Sequence, residues 1–466
     1  MTQNFDVVVI GTGPGGYVAA VRAAQLGFKV AVVEKSHLGG ICLNWGCIPT
    51  KALLKASELK ESMEHAVEFG LKVKGVEVDF NAIIERSRGV AGKLSEGIGY
   101  LMKKNKITVL EGKGVLTSPS KLAIMDGDSQ QEEVTFKYAI LATGARARTI
   151  PGVLEADEKN IWTYKTAMTP IEMPKSLLVV GAGAIGVEFA SFYHALGVDV
   201  TLVEAQDRIV PVEDVDVSKE LKRLLEKRGM TVLTKAKVEN LKSEKDNVSV
   251  TLNGEVKAFD KAILAVGITG NVEGLGLEKL NIRAEKGQIK HNDFYQTSVP
   301  NIYAIGDVAG APWLAHVASH EGVIAAEHIG AQIGKCVEPH PMDYTNIPGC
   351  TYCTPQVAST GLTEAAAKEQ GHKVKVGIFN YQANGKALAI GEPDGFVKTV
   401  FDVETGALLG AHIIGAEATE MITTFVLGKH VEAVEEDFFH ACLPHPTLSE
   451  MIGESALAAL GRPLNS

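Results

Sequence analysis

Three features are scarce in this chain of 466 residues, and each scarcity excludes a class of protein. Six cysteines are too few for a secreted scaffold built on disulfides. No run of lysine and arginine occurs and the net charge is -10, which argues against a nucleic-acid binder. No apolar stretch is long enough to cross a membrane, and the opening MTQNFDVVVIGTG resembles neither a signal nor a transit peptide. We therefore expect a cytoplasmic protein.

Glycine, by contrast, is abundant, with 48 residues, and part of it belongs to an internal duplication. Segments 7–34 and 177–204 align without a gap; they read VVVIGTGPGGYVAAVRAAQLGFKVAVVE and LLVVGAGAIGVEFASFYHALGVDVTLVE. Each contains an apolar strand-like run, a G-x-G-x-x-G turn, an alanine-rich helix and a second apolar run that ends in Glu. The length of the chain also favours several domains.

The repeated pattern is typical of a βαβ unit that binds a dinucleotide. Its glycines allow a tight turn, a close approach to the pyrophosphate and tight helix packing, and the final Glu can bind a ribose hydroxyl. The residues are Gly11, Gly13, Gly16 and Glu34 in the first copy, and Gly181, Gly183, Gly186 and Glu204 in the second. The sequence therefore predicts two nucleotide sites. Glu204 favours NAD over NADP because a carboxylate repels a 2′-phosphate, although Arg208 is nearby.

Cys42 and Cys47 follow the first copy in the run GGICLNWGCIPTK. A helix is predicted over 49–61, which places Cys47 near a helix N-terminus that would stabilise its thiolate. Zinc would need further ligands at matching spacing, so we expect no metal site. Two buried free cysteines are the alternative to a redox pair. A second Cys-x-x-Cys, formed by Cys350 and Cys353, has a strand-like context and is interpreted as packing.

His445 is the histidine with the most distinctive setting. Pro444 and Pro446 flank it and restrict the backbone of a tight turn, and Glu450 follows five residues later. A carboxylate that holds an imidazole can adjust it for work as a general base near neutral pH. Because isolated histidines are more often structural, the hypothesis of a catalytic role depends on this pairing.

Taken in order, these motifs resemble the flavin-dependent pyridine nucleotide-disulfide oxidoreductases of class I, across essentially the whole chain. Besides the cysteine run, the matching segments are 142–144 (ATG), 304–308 (AIGDV), 314–316 (LAH) and 445–450 (HPTLSE). The resemblance implies an α/β protein with two Rossmann-like dinucleotide-binding domains and a C-terminal α+β dimerisation domain. The expected parts are an FAD-binding domain over 1–150, an NAD-binding domain over 151–270, a central part over 271–341 that completes the FAD site, and a dimerisation domain over 342–466.

The resemblance also implies the roles of individual residues. Cys47 would be the thiol nearest the flavin, and Cys42 the thiol that exchanges with substrate. Lys51 would lie beside the flavin with Glu188 holding it, and His445 with Glu450 would act in the site of the partner subunit. FAD would be bound by Gly11, Gly13, Gly16, Glu34, Lys51, Gly114, Thr143, Gly144, Asp307 and Ala315, and NAD by Gly181, Gly183, Gly186, Glu204, Val238 and Gly267.

Within the family, the residues favour a member that oxidises protein-bound dihydrolipoamide and reduces NAD. Glutathione reductase would be expected to carry arginines after the second copy, and mercuric reductase a C-terminal cysteine pair. A flavin-binding redox sensor without turnover is a further alternative. The presence of both cysteines, His445 and Glu450 argues against it, because a sensor needs no dedicated base. The segment Ile268-Thr269-Gly270 lacks the Arg-Pro that many relatives carry. The expected partners are a second copy in a homodimer and the lipoyl domains of 2-oxoacid dehydrogenase or glycine cleavage complexes.

Overall fold

The computed structural model describes residues 3–465. Its helices are, in chain order, α1 (Pro14–Gln25), α2 (Gly40–Trp45), α3 (Cys47–Glu64), α4 (Phe80–Lys104), α5 (Tyr164–Met168), α6 (Ala184–Ala195), α7 (Val215–Lys227), α8 (Ala315–Gln332), α9 (Glu364–Glu369), α10 (Gly385–Ala389), α11 (Ala418–His430), α12 (Glu435–His440) and α13 (Glu450–Ala459). Within the described part of the chain, none of these helices is long and apolar enough to span a membrane.

The strands are β1 (Gln3–Ile10), β2 (Val30–Glu34), β3 (Thr108–Glu111), β4 (Lys113–Ser118), β5 (Lys121–Asp126), β6 (Ser129–Leu141), β7 (Ala145–Ala147), β8 (Ile161–Trp162), β9 (Ser176–Val180), β10 (Asp199–Val203), β11 (Thr231–Leu233), β12 (Val238–Ser243), β13 (Val248–Leu252), β14 (Glu255–Phe259), β15 (Lys261–Leu264), β16 (Ile268–Gly270), β17 (Ala284–Glu285), β18 (Gln288–Ile289), β19 (Ile302–Ala304), β20 (Gly349–Thr351), β21 (Gln356–Gly361), β22 (Val374–Asn380), β23 (Phe396–Asp402) and β24 (Leu408–Gly415).

The first of two compact units contains the described residues up to Ala52, together with Asn81–Arg148 and Gly267–Met342. Its main sheet has the order β3-β2-β1-β6-β5-β4, with β19 also paired to β6. Strands β3, β2, β1, β6 and β19 run parallel, whereas β5 pairs antiparallel with both β6 and β4. Helix α1 packs against α8 through small residues: a Cβ on Gly322 would lie 3.2 Å from the Ala19 Cβ. The core strands are apolar on both faces, as in parallel sheets covered by helices.

The second unit contains Leu53–Phe80, Thr149–Val266 and the described residues from Asp343 onward. One part is a parallel sheet of order β11-β10-β9-β15-β8 with an antiparallel sheet β12-β13-β14. The other is an antiparallel sheet of order β20-β21-β24-β23-β22, with α11 and α13 packed on it. Gly377 lets α13 approach closely, since a Cβ there would lie 1.8 Å from the Ser455 carbonyl oxygen. The mixed α/β fold class expected from the sequence is confirmed.

One local expectation differs from the structure. The helix expected over 49–61 begins earlier and ends later, at Cys47 and Glu64. Cys42 lies in the short helix α2. Residues 268–270 form β16, which pairs with β7 inside the first unit. The four-part division of the chain stays a prediction.

Candidate active site

The first glycine-rich turn joins β1 to α1. Gly11 has a φ of 101°, and a Cβ there would lie 2.2 Å from the Ala142 carbonyl oxygen. A Cβ on Gly16 would lie 2.0 Å from the Gly11 carbonyl oxygen, so both positions require glycine. The Cβ position of Gly13, by contrast, has nothing within 4 Å. This open space at the N-terminal end of α1 fits a pyrophosphate, which helix N–H groups attract.

The second turn, between β9 and α6, repeats this geometry. Gly181 has a φ of 100°, and its Cβ would lie 2.4 Å from the Ala265 carbonyl oxygen. A Cβ on Gly186 would lie 1.9 Å from the Gly181 carbonyl oxygen, whereas that of Gly183 has nothing within 4 Å. The residues of both turns therefore fit a dinucleotide, in agreement with the two copies seen in the sequence.

Glu34 and Glu204 close their turns in the same way. One carboxylate oxygen of Glu34 accepts hydrogen bonds from the Thr12 amide at 3.0 Å and the Thr12 hydroxyl at 2.6 Å. One oxygen of Glu204 accepts from the Ala182 amide at 2.8 Å. Each carboxylate is thereby fixed beside its glycine turn, where a ribose hydroxyl is expected. Sequence reasoning missed Thr12, because its counterpart Ala182 contributes only the backbone N–H.

Asp307 follows β19 in a 3-10 turn over Gly306–Val308. In the described range 3–465, no hydrogen bond is made to its carboxylate, and burial raises its pKa to about 6. The start of α8 lies against α1 here, because a Cβ on Gly15 would lie 2.9 Å from the Ala318 carbonyl oxygen. A half-buried carboxylate without a donor fits a ligand that brings hydroxyl groups, as the ribityl chain of FAD does. Ala315, another predicted FAD residue, is the first residue of α8.

The other predicted cofactor residues have local structural settings. Gly114 on β4 packs on Ile10, whose side chain would lie 3.1 Å from an added Cβ. The Thr143 hydroxyl donates to the Asn271 carbonyl at 2.9 Å, and Gly144 accepts from the Asn271 amide at 2.9 Å. Gly267 accepts from the Arg148 amide at 2.9 Å, and Val238 begins β12. Their contacts with nucleotides stay predictions.

Cys42 and Cys47 are joined by a disulfide, with their Cα atoms 4.7 Å apart. Cys47 is the first residue of α3, so its sulfur lies at the positive end of an 18-residue helix. That position favours the thiolate form once the disulfide is reduced. The pair therefore has the geometry of a reducible disulfide with one activated thiol.

Hydrogen bonds to the backbone hold α2, the helix that carries Cys42. The side-chain Nδ2 of Asn44 donates to the carbonyls of Leu38 and Gly40, both at 2.9 Å. Arg88 on α4 donates to the Asn44 carbonyl at 2.5 Å and lies over the Trp45 ring at 4.6 Å. Burial lowers the pKa of Arg88. Sequence reasoning missed Arg88, since nothing in a helical run of mixed charge distinguishes it.

Lys51 lies in α3 of the first unit, and Glu188 in α6 of the second. Glu188 is buried, and its carboxylate accepts from the Tyr352 amide at 2.9 Å. The predicted contact between Lys51 and Glu188 stays a prediction.

His445 and Glu450 are in contact. The His445 Nδ1 lies 2.9 Å from one Glu450 oxygen, and the other oxygen accepts from the Thr447 amide at 2.8 Å. The Thr447 amide, and after it His445, lower the pKa of Glu450, so the carboxylate stays ionised near neutral pH. The His445 side chain is 79% exposed, which leaves its Nε2 accessible. This is the arrangement of a general base with an orienting carboxylate.

Cys350 and Cys353 form no disulfide. Cys350 lies in β20 and packs on the core of its sheet, whereas the buried Cys353 donates from its sulfur to the Pro355 carbonyl at 3.0 Å. These contacts are those of packing residues.

Comparison with known proteins identifies the family to which the chain belongs. The profile described as pyridine nucleotide-disulphide oxidoreductase matches residues 5–322, and that of the family's dimerisation domain matches residues 347–456. The chain belongs to the pyridine nucleotide-disulphide oxidoreductase family. The family resemblance seen in the sequence is thereby confirmed.

Curated relatives of this oxidoreductase match it over their full length. It is 50% identical to the dihydrolipoyl dehydrogenase of Zymomonas mobilis and 48% identical to that of Rhizobium etli, with 100% of each chain covered in both cases. The crystal structure of LpdA from Mycobacterium tuberculosis aligns with a TM-score of 0.89 at 25% identity, covering 98% of this oxidoreductase and 99% of LpdA. The flavoprotein disulfide reductase RclA from Escherichia coli aligns with a TM-score of 0.86 at 25% identity, covering 97% and 99%.

Proposed function

We propose that this oxidoreductase is a dihydrolipoyl dehydrogenase, which oxidises protein-bound dihydrolipoamide to lipoamide and reduces NAD+ to NADH. The assignment of the substrate depends on the identity of 48% and 50%, over the full length, to two proteins of that name. The chemistry is supported by the Cys42–Cys47 disulfide and by the contact between His445 and Glu450.

The chain's own residues carry out the thiol chemistry. His445, held by Glu450, takes a proton from one substrate thiol. The resulting thiolate attacks the Cys42 sulfur, the bond between Cys42 and Cys47 breaks, and Cys47 leaves as a thiolate stabilised by the N-terminus of α3. The second substrate thiol, once deprotonated, attacks the substrate sulfur bound to Cys42 and releases the Cys42 thiolate. The substrate leaves as a cyclic disulfide, and two electrons remain on the cysteine pair.

The cofactors of this reaction are FAD and NAD. FAD would be held by the first glycine turn, Glu34 and Asp307, and NAD by the second turn and Glu204. When bound, FAD supplies the two-electron chemistry that connects a dithiol with a nicotinamide. Glu188 and Lys51 are proposed to lie beside the flavin, where a lysine would favour its reduced anionic form.

The proposed partners are a second copy of the chain and lipoyl domains. The match to the family's dimerisation domain supports a homodimer. With a protein-bound substrate of this kind, we propose that the enzyme serves a 2-oxoacid dehydrogenase or glycine cleavage complex and is located in the cytoplasm.

The test is turnover of the purified flavoprotein with dihydrolipoamide and, separately, NAD+ or NADP+, followed by absorbance of the reduced nicotinamide. We expect rapid reduction of NAD+ and its loss in Cys47→Ser. Cys336→Ser is the matched control: Cys336 lies outside the disulfide and donates to the Glu327 carbonyl, which a serine can also do. Turnover with NADP+ alone, or none with dihydrolipoamide, contradicts the proposal.

A further inference from the structure

Asn384 is a buried polar side chain that no step of the proposed reaction uses. It is 5% exposed and precedes the short helix α10. Its Oδ1 accepts from the Ala387 amide at 2.9 Å, which is an ordinary N-cap contact. Its Nδ2 donates to the Thr447 carbonyl at 3.0 Å, across 63 positions of sequence. The second bond has no role in capping, because the cap needs only an acceptor.

Thr447 lies at the centre of the segment that carries His445. Its amide donates to Glu450 at 2.8 Å, and its hydroxyl donates to the Pro444 carbonyl at 2.8 Å. The other oxygen of Glu450 contacts the His445 Nδ1 at 2.9 Å. A continuous path of hydrogen bonds therefore leads from Asn384 through Thr447 and Glu450 to the imidazole.

The segment between α12 and α13 has no regular secondary structure to hold it. Within its own chain the imidazole is 79% exposed, so packing in that chain does little to fix its orientation. Across the described range 3–465, Glu450 is the one charged side chain in an ion pair with His445. Cys442 and His440 are the titratable residues that precede His445 most closely in sequence, and Lys386 lies on α10 beside Asn384; none of the three forms an ion pair with His445 within the described residues. The orientation of the imidazole thus depends on the Glu450 carboxylate and on what holds it.

We propose that Asn384 is a positioning residue for the proposed oxidation of the dithiol. By holding the Thr447 carbonyl, it keeps the Thr447 amide directed at one oxygen of Glu450 and leaves the other oxygen facing the His445 Nδ1. That arrangement keeps the proton on Nδ1 and the lone pair on Nε2, where a substrate thiol must deliver its proton. The inference rests on the proposed function, since it assigns His445 the task of a base.

Asn384→Ser tests the proposal in the flavin-loaded dimer. A serine can still cap α10, but it is too short to reach the Thr447 carbonyl. We expect kcat/KM for dihydrolipoamide to fall by about ten- to a hundredfold, the cost typical of a misplaced catalytic group. The acidic limb of its pH profile should move to lower pH, because a poorly held carboxylate stabilises the protonated imidazole less. Reduction of the bound flavin by NADH, which needs no base for a thiol, should keep its rate.

Two further variants separate positioning from stability. Asn384→Asp keeps the cap acceptor but turns a lone pair towards the Thr447 carbonyl, so its loss of kcat/KM should be at least as large. Thr363→Ala is the matched control, because Thr363 caps α9 in the same unit through a bond of 3.1 Å to the Ala366 amide. It should lower thermal stability without moving the pH profile.

The outcomes are distinct. An unchanged pH profile in Asn384→Ser, or a parallel fall of the dithiol rate, the NADH rate and thermal stability, overturns the proposal. Wild-type protein that does not oxidise dihydrolipoamide contradicts the proposed function instead. In that case, the role of Asn384 is tested by an NMR titration of the His445 ring, whose signal is assigned by its absence from His445→Gln. A titration midpoint of His445 that differs between Asn384→Ser and the wild type supports the positioning role, and an unchanged midpoint overturns it.

Discussion

At the scale of single residues, the glycines of the two turns perform different tasks. Gly16 and Gly186 are excluded from carrying a side chain by backbone atoms about 2 Å away from the Cβ position. Gly13 and Gly183 have open space at that position and an ordinary negative φ. The first kind of glycine builds the turn, and the second kind leaves room for a ligand.

This difference gives a prediction with its own control. Gly183→Ala should fold normally, because alanine adopts a φ of -73° without strain. Its Cβ would occupy the space expected for the pyrophosphate, so the KM for NAD+ should rise by at least tenfold. Gly186→Ala should instead lower the midpoint of thermal unfolding, since its Cβ meets the Gly181 carbonyl. Steady-state kinetics and thermal unfolding of both variants check this, and equal behaviour of the two would contradict it.

At the scale of elements, a buried lysine joins two helix N-termini to the sheet of the C-terminal part. Lys398 on β23 is fully buried. It contacts Asp214 at 2.9 Å and Asp216 at 2.7 Å at the start of α7, and Glu364 at 2.9 Å at the start of α9. Burial opposes the charge on Lys398, but the three carboxylates outweigh it and raise the pKa above its usual value. The cation therefore stays charged in the interior and offsets part of the negative charge of the three carboxylates around it.

Removal of this cation should be costly. Lys398→Met leaves the Asp214 carboxylate buried without its partner, and we expect a loss of about 3–5 kcal/mol in the free energy of unfolding. Lys373→Met is the control, since Lys373 pairs with Glu404 at the surface with its side chain 74% exposed. Thermal unfolding of the two variants gives the comparison. A Lys398→Met protein as stable as Lys373→Met would show that the buried cluster contributes little.

The beginning of α3 shows why element boundaries are hard to predict. The helix predicted over 49–61 has Pro49 as its first residue, a position at which the missing N–H is harmless. Pro49 is instead the third residue of α3, and this is equally permitted because the first four N–H groups of a helix have no intrahelical partner. The position of Pro49 therefore did not determine at which residue α3 begins. In the structure α3 begins at Cys47, and the stability of the Cys47 thiolate depends on that position at the helix N-terminus.

At the scale of the whole molecule, the expected dimer has a direct functional test. If His445 serves the cysteine pair of the partner subunit, mixing inactive Cys47→Ser and inactive His445→Gln chains should restore activity. Random exchange gives mixed dimers in about half of the molecules, each with one intact site of two, so about a quarter of wild-type activity is expected. Refolding or coexpression of the two variants, with sedimentation to confirm the dimer, measures this. Absence of restored activity in verified mixed dimers would place His445 and the cysteines of one site in the same chain.

The sequence by itself determined the two glycine-rich turns and the pairing of His445 with Glu450, and it indicated that Cys42 and Cys47 act as a pair. All three depend on residues close in the chain, and the steric demand for glycine in a tight turn is local. Tertiary structure decided the rest. The bond from Asn384 to Thr447 spans 63 positions and that from Lys398 to Asp214 spans 184. Only packing brings such groups together and removes water from them, so burial and the partners of a buried polar group follow from the folded chain.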